Sequence, residues 1–335
     1  MSGVRGLNVH PTKINGTNIP ADAPFYLWLL KHSLAVAGTI AVAARDIKRN
    51  PRGYDVVHVH GNACAFFFSK LLDVSPLLYT VHDPPPSTVR CDRIDEKFVR
   101  EAVFRNIDLP ALKAVDHVIA VNPAIKETLT RLNVQSRKIS VIPSGTRVHA
   151  THSRTKDKAL GIFVGQLIRR KGVHFLIEAL SRVPEIRMAV VGDGPERDSL
   201  RQLARELGCA DRVTFCGYLS DSDLEECYSR ASFGVFPSLA DAMPLALLEC
   251  MGHGIPALAS RFPGAEWVIK HGENGFLHQV GNVKEIQNQL YSIRSDPKLC
   301  ARMGDEARRT VEHDFSWDTV ARKTVSTYNK VIESL

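Results

Sequence analysis

The fold class of this chain is decided by the stretch Pro237-Ser-Leu-Ala-Asp-Ala-Met-Pro-Leu-Ala-Leu-Leu-Glu-Cys-Met-Gly-His-Gly-Ile-Pro256. A run with aromatic and β-branched residues precedes it at 232–236, and an apolar run overlaps its end at 255–260. Pro244 suits the first turn of a helix, where a missing N–H removes no intrahelical hydrogen bond. The pattern therefore predicts a strand, a helix and a second strand in succession.

Two carboxylates lie on either side of the predicted helix start. Asp241 is expected in the loop before the helix, with Ala242 or Met243 as the cap, and Glu249 is expected in the second turn. In a parallel α/β sheet such a loop lies at the carboxyl end of a strand, where ligands bind. A capping Asp and an exposed helical Glu are also common without function. Spacing alone therefore leaves a ligand site and a structural role both open.

Apolar runs alternate with helical segments along most of the chain. In the first half, strands are predicted at 55–60, 77–81, 116–121 and 138–142. In the second half, they are predicted at 159–164, 186–191, 212–215, 232–236, 255–259 and 275–278. This alternation predicts an α/β protein with two doubly wound parallel sheets. The polar, basic segment 146–158 is the predicted linker between two domains.

The N-terminal residues give a weaker signal. Residues 4–10 are predicted as a strand and residues 25–48 as a helix rich in Leu and Ala, while residues 1–19 lack the features of a secretory signal. The nearest candidate for a membrane span, 24–44, is interrupted by Lys31 and His32 and is therefore predicted as a buried or surface-lying helix.

Composition narrows the class of protein. With 335 residues, of which 44% are hydrophobic and 24% charged, the chain can form two globular domains. A net charge of +7 suits anionic partners such as nucleotide diphosphates, anionic lipid headgroups or nucleic acid, without choosing among them. The seven Cys form no Cys-x-x-Cys pair, so we predict buried free thiols in a reducing compartment, and the scatter of the cysteines argues against a zinc site built from them.

A second loop carries a candidate anion site. Gly165-Gln-Leu-Ile-Arg-Arg-Lys-Gly172 follows a predicted strand and opens a helix. Such a loop offers backbone N–H groups, a helix N-terminus and three cations to a diphosphate, although a solvated basic loop has the same composition. The turn Gly192-Asp-Gly-Pro-Glu-Arg197 lacks the third Gly of a dinucleotide fingerprint.

These stretches resemble the donor-binding signature of family 4 glycosyltransferases, which have the GT-B fold with two Rossmann-like domains facing a cleft. That signature has two Glu separated by seven residues in a Pro-Ser…Glu-Ala-Met-x-x-Gly-x-Pro frame. Here Asp241 replaces the first Glu, and Cys250 stands where Ala is usual. The first half is similar to the family's first domain in its Asp-x-Val-His-x-His at 55–60 and in its exit Val-Ile-Pro-Ser-Gly at 141–145.

The resemblance also implies a domain organisation. The family usually opens with a strand, a Gly-rich loop and a long helix, and these are not seen here, so the first domain, 1–147, is expected to be incomplete. The second domain, 148–315, is expected to bind the nucleotide sugar. Residues 316–335 are expected to form a terminal helix that crosses back to the first domain.

The activity implied by the resemblance is that of a retaining glycosyltransferase in carbohydrate biosynthesis. It would transfer a sugar from a nucleotide diphosphate sugar to a hydroxyl acceptor, without a metal or other cofactor. The implied catalytic residues are His82, Lys171 and Asp241. The implied donor-binding residues are Gly165, Gln166, Arg170, Lys171, Gly217, Tyr218, Asp241, Met243, Leu245, Ala246 and Glu249.

Individual roles follow from the same resemblance. Lys171 would neutralise the diphosphate, but the family's partner Arg is Gln166 here. Glu249 would bind the ribose hydroxyls and Asp241 a hydroxyl of the donor sugar. The backbone at 217–218 would hold the nucleobase, and His82 would reach the donor sugar and phosphate.

Other classes of function remain open. Gln166 and the missing opening segment also fit a nucleotide-sugar-binding protein without turnover, or a truncated inactive relative. A nucleic-acid binder is disfavoured because no basic and aromatic surface module is present, so we expect no nucleic-acid partner. The acceptor could be a glycan, a lipid or a small molecule. We expect a cytoplasmic protein, with peripheral contact to a membrane left open.

Overall fold

The computed structural model describes residues 53–60, 62–71, 76–82, 94–149 and 156–335, together with 45, 47 and 49, which are helical. The strand predicted at 4–10 and most of the helix predicted at 25–48 lie outside the described residues. No helix in the described part of the chain combines the length and the apolar character that crossing a membrane requires. The span considered at 24–44 lies outside the described residues.

The chain divides into two compact units. The first comprises the described residues up to Ile142 together with Lys323–Leu335, and the second is Pro143–Arg322. The domain boundaries expected at residues 147 and 315 stay predictions.

The first unit contains a parallel sheet. Its strands are β1 (Val57–Val59), β2 (Leu77–Val81), β3 (His117–Ala120) and β4 (Ile139–Val141), hydrogen-bonded in that order. The helices are α1 (Asn62–Leu71), α2 (Ile94–Val103), α3 (Leu109–Ala114) and α4 (Pro123–Arg131). A π-helical turn, Phe104–Asp108, joins α2 to α3. The four strands predicted for the first half are therefore confirmed.

Local sequence explains the elements of this unit. All five residues of β2 are buried, as expected for a central strand covered on both faces. Asn122 caps α4 because its side chain accepts a hydrogen bond from the N–H of Ile125, and Pro123 occupies the first helical turn.

The second unit contains a larger parallel sheet. Its strands are β5 (Asp157–Val164), β6 (Arg187–Val191), β7 (Val213–Gly217), β8 (Ala231–Phe236), β9 (Ala257–Ser260) and β10 (Gly275–His278). They are ordered β10-β9-β8-β5-β6-β7, and all pairs are parallel. The six strands predicted for the second half are therefore confirmed, in the strand order of a Rossmann-like sheet.

The predicted linker is wrong at its C-terminal end. β5 already begins at Asp157, which pairs with Ala231, and the Ser232 hydroxyl donates to the Asp157 carbonyl at 2.8 Å. Because the first residues of this strand are polar, their composition resembles that of a linker, and the strand pairing could not be predicted from it. At its other end, the Thr146 N–H donates to the carbonyl of Phe315 at 2.9 Å.

Helices cover the second sheet. They are α5 (Val173–Leu180), α6 (Arg197–Glu206), α7 (Asp221–Arg230), α8 (Leu245–Gly252), α9 (Pro263–Val268), α10 (Val283–Ser295) and α11 (Pro297–Thr310). The last helix, α12 (Trp317–Glu333), begins in this unit and continues into the first. The core is built from apolar side chains that include Phe163, Leu176, Met188, Phe233 and Leu290. Five cysteines of the second unit are free thiols, as predicted, but only Cys209, Cys250 and Cys300 are buried, whereas Cys216 and Cys227 are partly exposed.

The strand order fixes where a ligand can bind. The chain adds β6 and β7 on one side of β5 and then returns to place β8 on the other side. The connections that follow β5 and β8 therefore lead away from each other and leave a crevice at the carboxyl edge of the sheet. This is where the two predicted site loops, 165–172 and 237–244, are found.

Candidate functional site

The two loops are joined to each other by backbone contacts. The Leu239 N–H donates to the carbonyl of Arg170 at 2.8 Å, and Arg170 Nη1 donates to the carbonyl of Ala240 at 3.3 Å. Gly172 has φ +70°, and a Cβ at this position would lie 2.0 Å from the Pro237 carbonyl oxygen. Only glycine allows this approach, so the sequence holds the two loops together at Gly172.

The central contact of the site joins Lys171 to Asp241. Lys171 ends a 3₁₀ turn, Arg169–Lys171, and its Nζ donates to Oδ2 of Asp241 in the second loop. Their side chains are 19% and 13% exposed, so the pair is partly shielded from water. An ammonium group has three N–H donors. Lys171 can therefore keep its bond to Asp241 and still donate to an anion.

The helix that carries Glu249 begins later than predicted. Its N-cap is Pro244 rather than Ala242 or Met243, because Pro244 is extended, with ψ 113°. The Pro244 carbonyl accepts hydrogen bonds from the N–H groups of Leu247 at 3.1 Å and Leu248 at 3.4 Å. The N–H groups of the two preceding residues, 245 and 246, thus stand at the open N-terminus of α8, which favours anions.

The structure gives Glu249 a partner that sequence reasoning missed. Tyr228, on α7, is 2% exposed, and its hydroxyl donates to Oε2 of Glu249 at 3.0 Å. Burial and the neighbouring Glu249 raise the pKa of Tyr228, so the hydroxyl keeps its proton and remains a donor. Among the described residues, none donates a hydrogen bond to the other oxygen, Oε1. Glu249 is thus fixed on one side and offers one oxygen to a ligand.

No sequence signal could have identified Tyr228. It precedes Glu249 by 21 residues and lies on a different helix, so only the packing of α7 against the region of α8 brings the two side chains together.

Gly165, Gly217 and Tyr218, which are also predicted to bind the donor, lie at the same sheet edge. Gly217, with φ +69°, ends β7, and its carbonyl accepts from the N–H of Gly192 at 2.8 Å. Gly192 in turn approaches Gly165 so closely that a Cβ would lie 2.0 Å from the Gly165 carbonyl oxygen. Tyr218 follows and is 76% exposed. The loops after β5, β6 and β7 therefore form a connected row.

The loop after β5 has one unusual position. Gln166, where the resemblance expects Arg, is exposed, and its side chain hydrogen-bonds none of the described residues. Arg169 is also exposed, whereas Arg170 is held by the Ala240 carbonyl. Met243, in the second loop, is buried, and Leu245, the first residue of α8, is 49% exposed.

The remaining predicted residue, His82, belongs to the first unit. It follows β2, next to His60 at the end of β1, and His60 Nδ1 lies 2.9 Å from His82 Nε2. Burial and His82 lower the pKa of His60, so its imidazole is neutral and one ring donates to the other. His58 lies beside them, bonded to Tyr328 and Thr80, and burial with the two other histidines lowers its pKa to about 3.

The structure therefore brings Lys171 and Asp241 into contact within the second unit and places His82 in a histidine cluster of the first. Within the second unit, the Lys171 ammonium, the N-terminus of α8 and the Glu249 carboxylate on that helix are all found at one sheet edge. Such groups suit a ligand that carries both phosphate and hydroxyl groups.

Two family models match this chain. The model described as glycosyl transferases group 1 matches residues 146–310, and the model described as Glycosyltransferase Family 4 matches residues 7–149. Among relatives, an uncharacterized glycosyltransferase of Methanocaldococcus jannaschii is 25% identical, with 96% of this chain and 87% of the relative covered.

Solved structures share the fold. The sucrose-phosphate synthase of Thermosynechococcus elongatus matches with a TM-score of 0.77 and 23% identity, covering 95% of this chain and 82% of that one. The Anabaena protein HepE, solved with UDP and glucose, matches with a TM-score of 0.73 and 21% identity, covering 88% and 82%. Since the two family models together span residues 7–310, the chain belongs to the family 4, or group 1, glycosyltransferases of GT-B fold.

Proposed function

We propose that the protein is a retaining glycosyltransferase that transfers a sugar from a nucleotide diphosphate sugar to a hydroxyl acceptor. The observation that carries this proposal is the pairing of Lys171 with Asp241 at the switch point of a Rossmann-like sheet, in the loop directly before the helix that carries Glu249. The HepE structure, which holds UDP and glucose, supports the choice of donor class.

The diphosphate is proposed to bind at Lys171 and the N-terminus of α8. Lys171 would donate its remaining N–H groups to phosphate oxygens while it stays bonded to Asp241. The N–H groups at residues 245 and 246 add donors that are already oriented. Together with Lys171, they would stabilise the negative charge that develops on the leaving diphosphate. The backbone at Gly165, next to the turn at Gly192, is proposed to form the opposite wall of the diphosphate site.

The nucleoside is proposed to bind through Glu249. Its Oε1 would accept hydrogen bonds from ribose hydroxyls, while Tyr228 holds Oε2. The exposed ring of Tyr218, next to Gly217, would lie against the nucleobase. The second carboxylate oxygen of Asp241 would accept a hydrogen bond from a hydroxyl of the donor sugar.

The transfer step needs no nucleophile from the protein. The bond between the anomeric carbon and the phosphate oxygen breaks, and the acceptor oxygen bonds to the same face of that carbon. The acceptor proton passes to the leaving phosphate oxygen. The positive groups at Lys171 and α8 supply the stabilisation of the diphosphate, so we propose that neither a metal nor another cofactor takes part. His82 is proposed to contact the donor sugar and phosphate.

The acceptor is proposed to be a hydroxyl group of a glycan, a lipid or a small molecule. Contact with a membrane surface is proposed only for the case in which the acceptor is a lipid. A cytoplasmic location is proposed because nucleotide sugars and free thiols both fit a reducing compartment.

The proposal is tested by calorimetry with UDP, GDP and ADP sugars, followed by assays for donor hydrolysis and transfer. We expect one nucleotide to bind, turnover to persist in EDTA, and the product to keep the anomeric configuration of the donor by NMR. Absence of nucleotide binding would overturn the proposal. Inversion of the anomeric carbon would overturn the mechanism alone.

Lys171→Ala is the variant that tests the diphosphate site. We expect donor affinity to fall by about 10- to 100-fold, because a charge-assisted contact is worth about 1.5–3 kcal/mol. Lys298→Ala, at an exposed lysine in the first turn of α11, removes the same charge elsewhere and should bind the donor as wild type does. Equal affinity of Lys171→Ala and wild type would remove this assignment.

A binding protein without turnover is the second candidate, and Gln166 favours it. Its neutral, exposed side chain stands where the family carries Arg, so one positive contact to the diphosphate is absent. Tight binding of a nucleotide sugar without hydrolysis or transfer would support this function. If Gln166→Arg then gave turnover, the missing charge would be the cause.

A further inference from the structure

Three metal-binding side chains converge in the second unit, outside the residues assigned to the donor. They are His149, Glu225 on α7, and His253, which follows the last residue of α8. Nδ1 of His149 lies 3.3 Å and Nε2 of His253 lies 3.5 Å from the same oxygen, Oε2 of Glu225. One ligand atom from each of the three lies within 4.8 Å of the other two.

We propose that these residues bind a divalent transition-metal ion of the Zn²⁺ type. Ligand atoms at about 2.0–2.1 Å from a tetrahedral Zn²⁺ lie about 3.3–3.4 Å from one another. The nitrogen-to-oxygen separations of 3.3 and 3.5 Å are close to that spacing, and all three ligand atoms lie within 4.8 Å of one another. Two imidazoles and one carboxylate are a donor set that Zn²⁺ takes in proteins, and harder ions such as Mg²⁺ prefer oxygen ligands alone. A fourth position remains for water.

The backbone around the ligands is held in place without a metal. The His149 N–H donates to the carbonyl of Gly252 at 3.2 Å, and a Cβ on Gly252 would lie 2.5 Å from the carbonyl oxygen of Arg147. Lys156 Nζ donates to the Gly254 carbonyl at 2.6 Å, on the other side of His253. Because these contacts fix the main chain, metal binding orders only side chains, which favours affinity.

The exposure of the three side chains suits an ion that enters from solvent. The side chain of His253 is 3% exposed, that of His149 19% and that of Glu225 44%. The imidazole rings of His149 and His253 are stacked, with centroids 3.8 Å apart and planes at 10°. To bind one ion, each ring would rotate about its Cβ–Cγ bond until its lone pair points to the ion. The Glu225 carboxylate would bind the same ion from the more exposed side.

The bound ion would act as a cross-link. It would join the segment at 149, helix α7 and the C-terminal end of α8, and so resist separation of these segments on unfolding. It takes no part in the transfer chemistry, and the inference does not depend on the proposed donor. Sequence reasoning missed the site because its ligands are far apart in the chain and form no short motif.

The test is titration of the whole protein with Zn²⁺ by calorimetry, and with Co²⁺, whose visible absorption reports tetrahedral coordination. His149→Ala and Glu225→Gln each remove one ligand at a partly exposed position, so both should fold. We expect each variant to lose one equivalent of metal or to bind it more than ~10-fold more weakly, since even losing a residue that only supports a ligand costs 10–100-fold. The matched control is His313→Ala, at a histidine that is 86% exposed.

Wild type and His313→Ala should bind alike, show tetrahedral Co²⁺ absorption and unfold at a higher temperature with Zn²⁺ present. In His149→Ala and Glu225→Gln, both the absorption and the thermal shift should be lost. The proposal is overturned if wild type binds no metal, or if the two ligand variants bind with the same stoichiometry and affinity as His313→Ala. Octahedral Co²⁺ absorption would also overturn it.

Discussion

Replacing Tyr228 by Phe removes one hydroxyl group from beneath the proposed nucleoside site and changes little else. The ring is 2% exposed, and Phe fills the same space, so no cavity forms. What disappears is the 3.0 Å hydrogen bond to Oε2 of Glu249. Glu249 then has to be ordered by the ligand instead of by the protein.

The expected magnitudes follow from that single bond. A hydrogen bond to a charged group contributes about 1.5–3 kcal/mol to stability, so the free energy of unfolding should fall by an amount in that range. Ordering a flexible side chain on binding costs about 0.5–1.5 kcal/mol, which corresponds to a roughly 2- to 10-fold increase in the nucleotide Kd. Since burial and Glu249 keep the Tyr228 hydroxyl protonated, this effect should not vary between pH 6 and 9.

The assay is calorimetry with the preferred nucleoside diphosphate and with its 2′-deoxy and 3′-deoxy forms. We expect wild type to favour the ribose form, and Tyr228→Phe to show a smaller ratio between ribose and deoxyribose affinities. Tyr291→Phe is the matched control, because Tyr291 lies on α10 and its hydroxyl donates to the Arg182 carbonyl at 2.6 Å. The control should lose some stability and keep the ribose preference of wild type.

Two results would contradict the proposed role of the Tyr228 hydroxyl. If Tyr228→Phe kept the wild-type ribose preference while losing stability, the hydroxyl would serve only the fold. If Glu249→Gln also kept that preference, Glu249 would not bind the ribose at all.

Two further predictions concern stability. Gly172→Ala should lower the free energy of unfolding by about 2 kcal/mol or more, because its Cβ would lie 2.0 Å from the Pro237 carbonyl oxygen. Gly208→Ala, at φ +65° with nothing within 4 Å, should cost only about 1 kcal/mol, and denaturant titration that found equal losses would contradict the close approach. For His278, burial lowers the pKa to about 4, so between pH ~6.5 and ~4 the unfolded chain takes up a proton that the folded chain does not. Stability should therefore fall by up to about 3 kcal/mol as the pH is lowered through this window, and thermal unfolding of His278→Gln should show a shallower loss.

Much of the fold could be predicted because its signals are local. The buried strand at 77–81 is apolar in every position but one, and Asn122 followed by Pro123 marks a helix start. Boundaries were less secure where polar residues begin an element. Asp157 opens a strand because it pairs with Ala231, and the helix after the second loop starts at Leu245 because Pro244 stays extended.

The candidate site divides in the same way. The loops containing Lys171 and Asp241 were found from the sequence, because glycines, cations and carboxylates next to strand ends are local features. Their ion pair was not, since it depends on two loops that the strand order brings together from positions 70 residues apart. The contact between His60 and His82 also depends on the strand order, because the two histidines follow adjacent parallel strands that end at one edge of the sheet.

The sequence was sufficient to predict the alternation of strands and helices, the two sheets and the loops that carry the charged side chains. These depend on residues that interact with near neighbours in the chain, so their pattern is written in the order of the residues. The tertiary structure alone decided that Tyr228 holds Glu249, and that His149, Glu225 and His253 converge. A hydrogen bond forms only within about 3.5 Å, and metal ligands have to lie similarly close to one another, so these contacts depend on the packing of segments that are far apart in the chain.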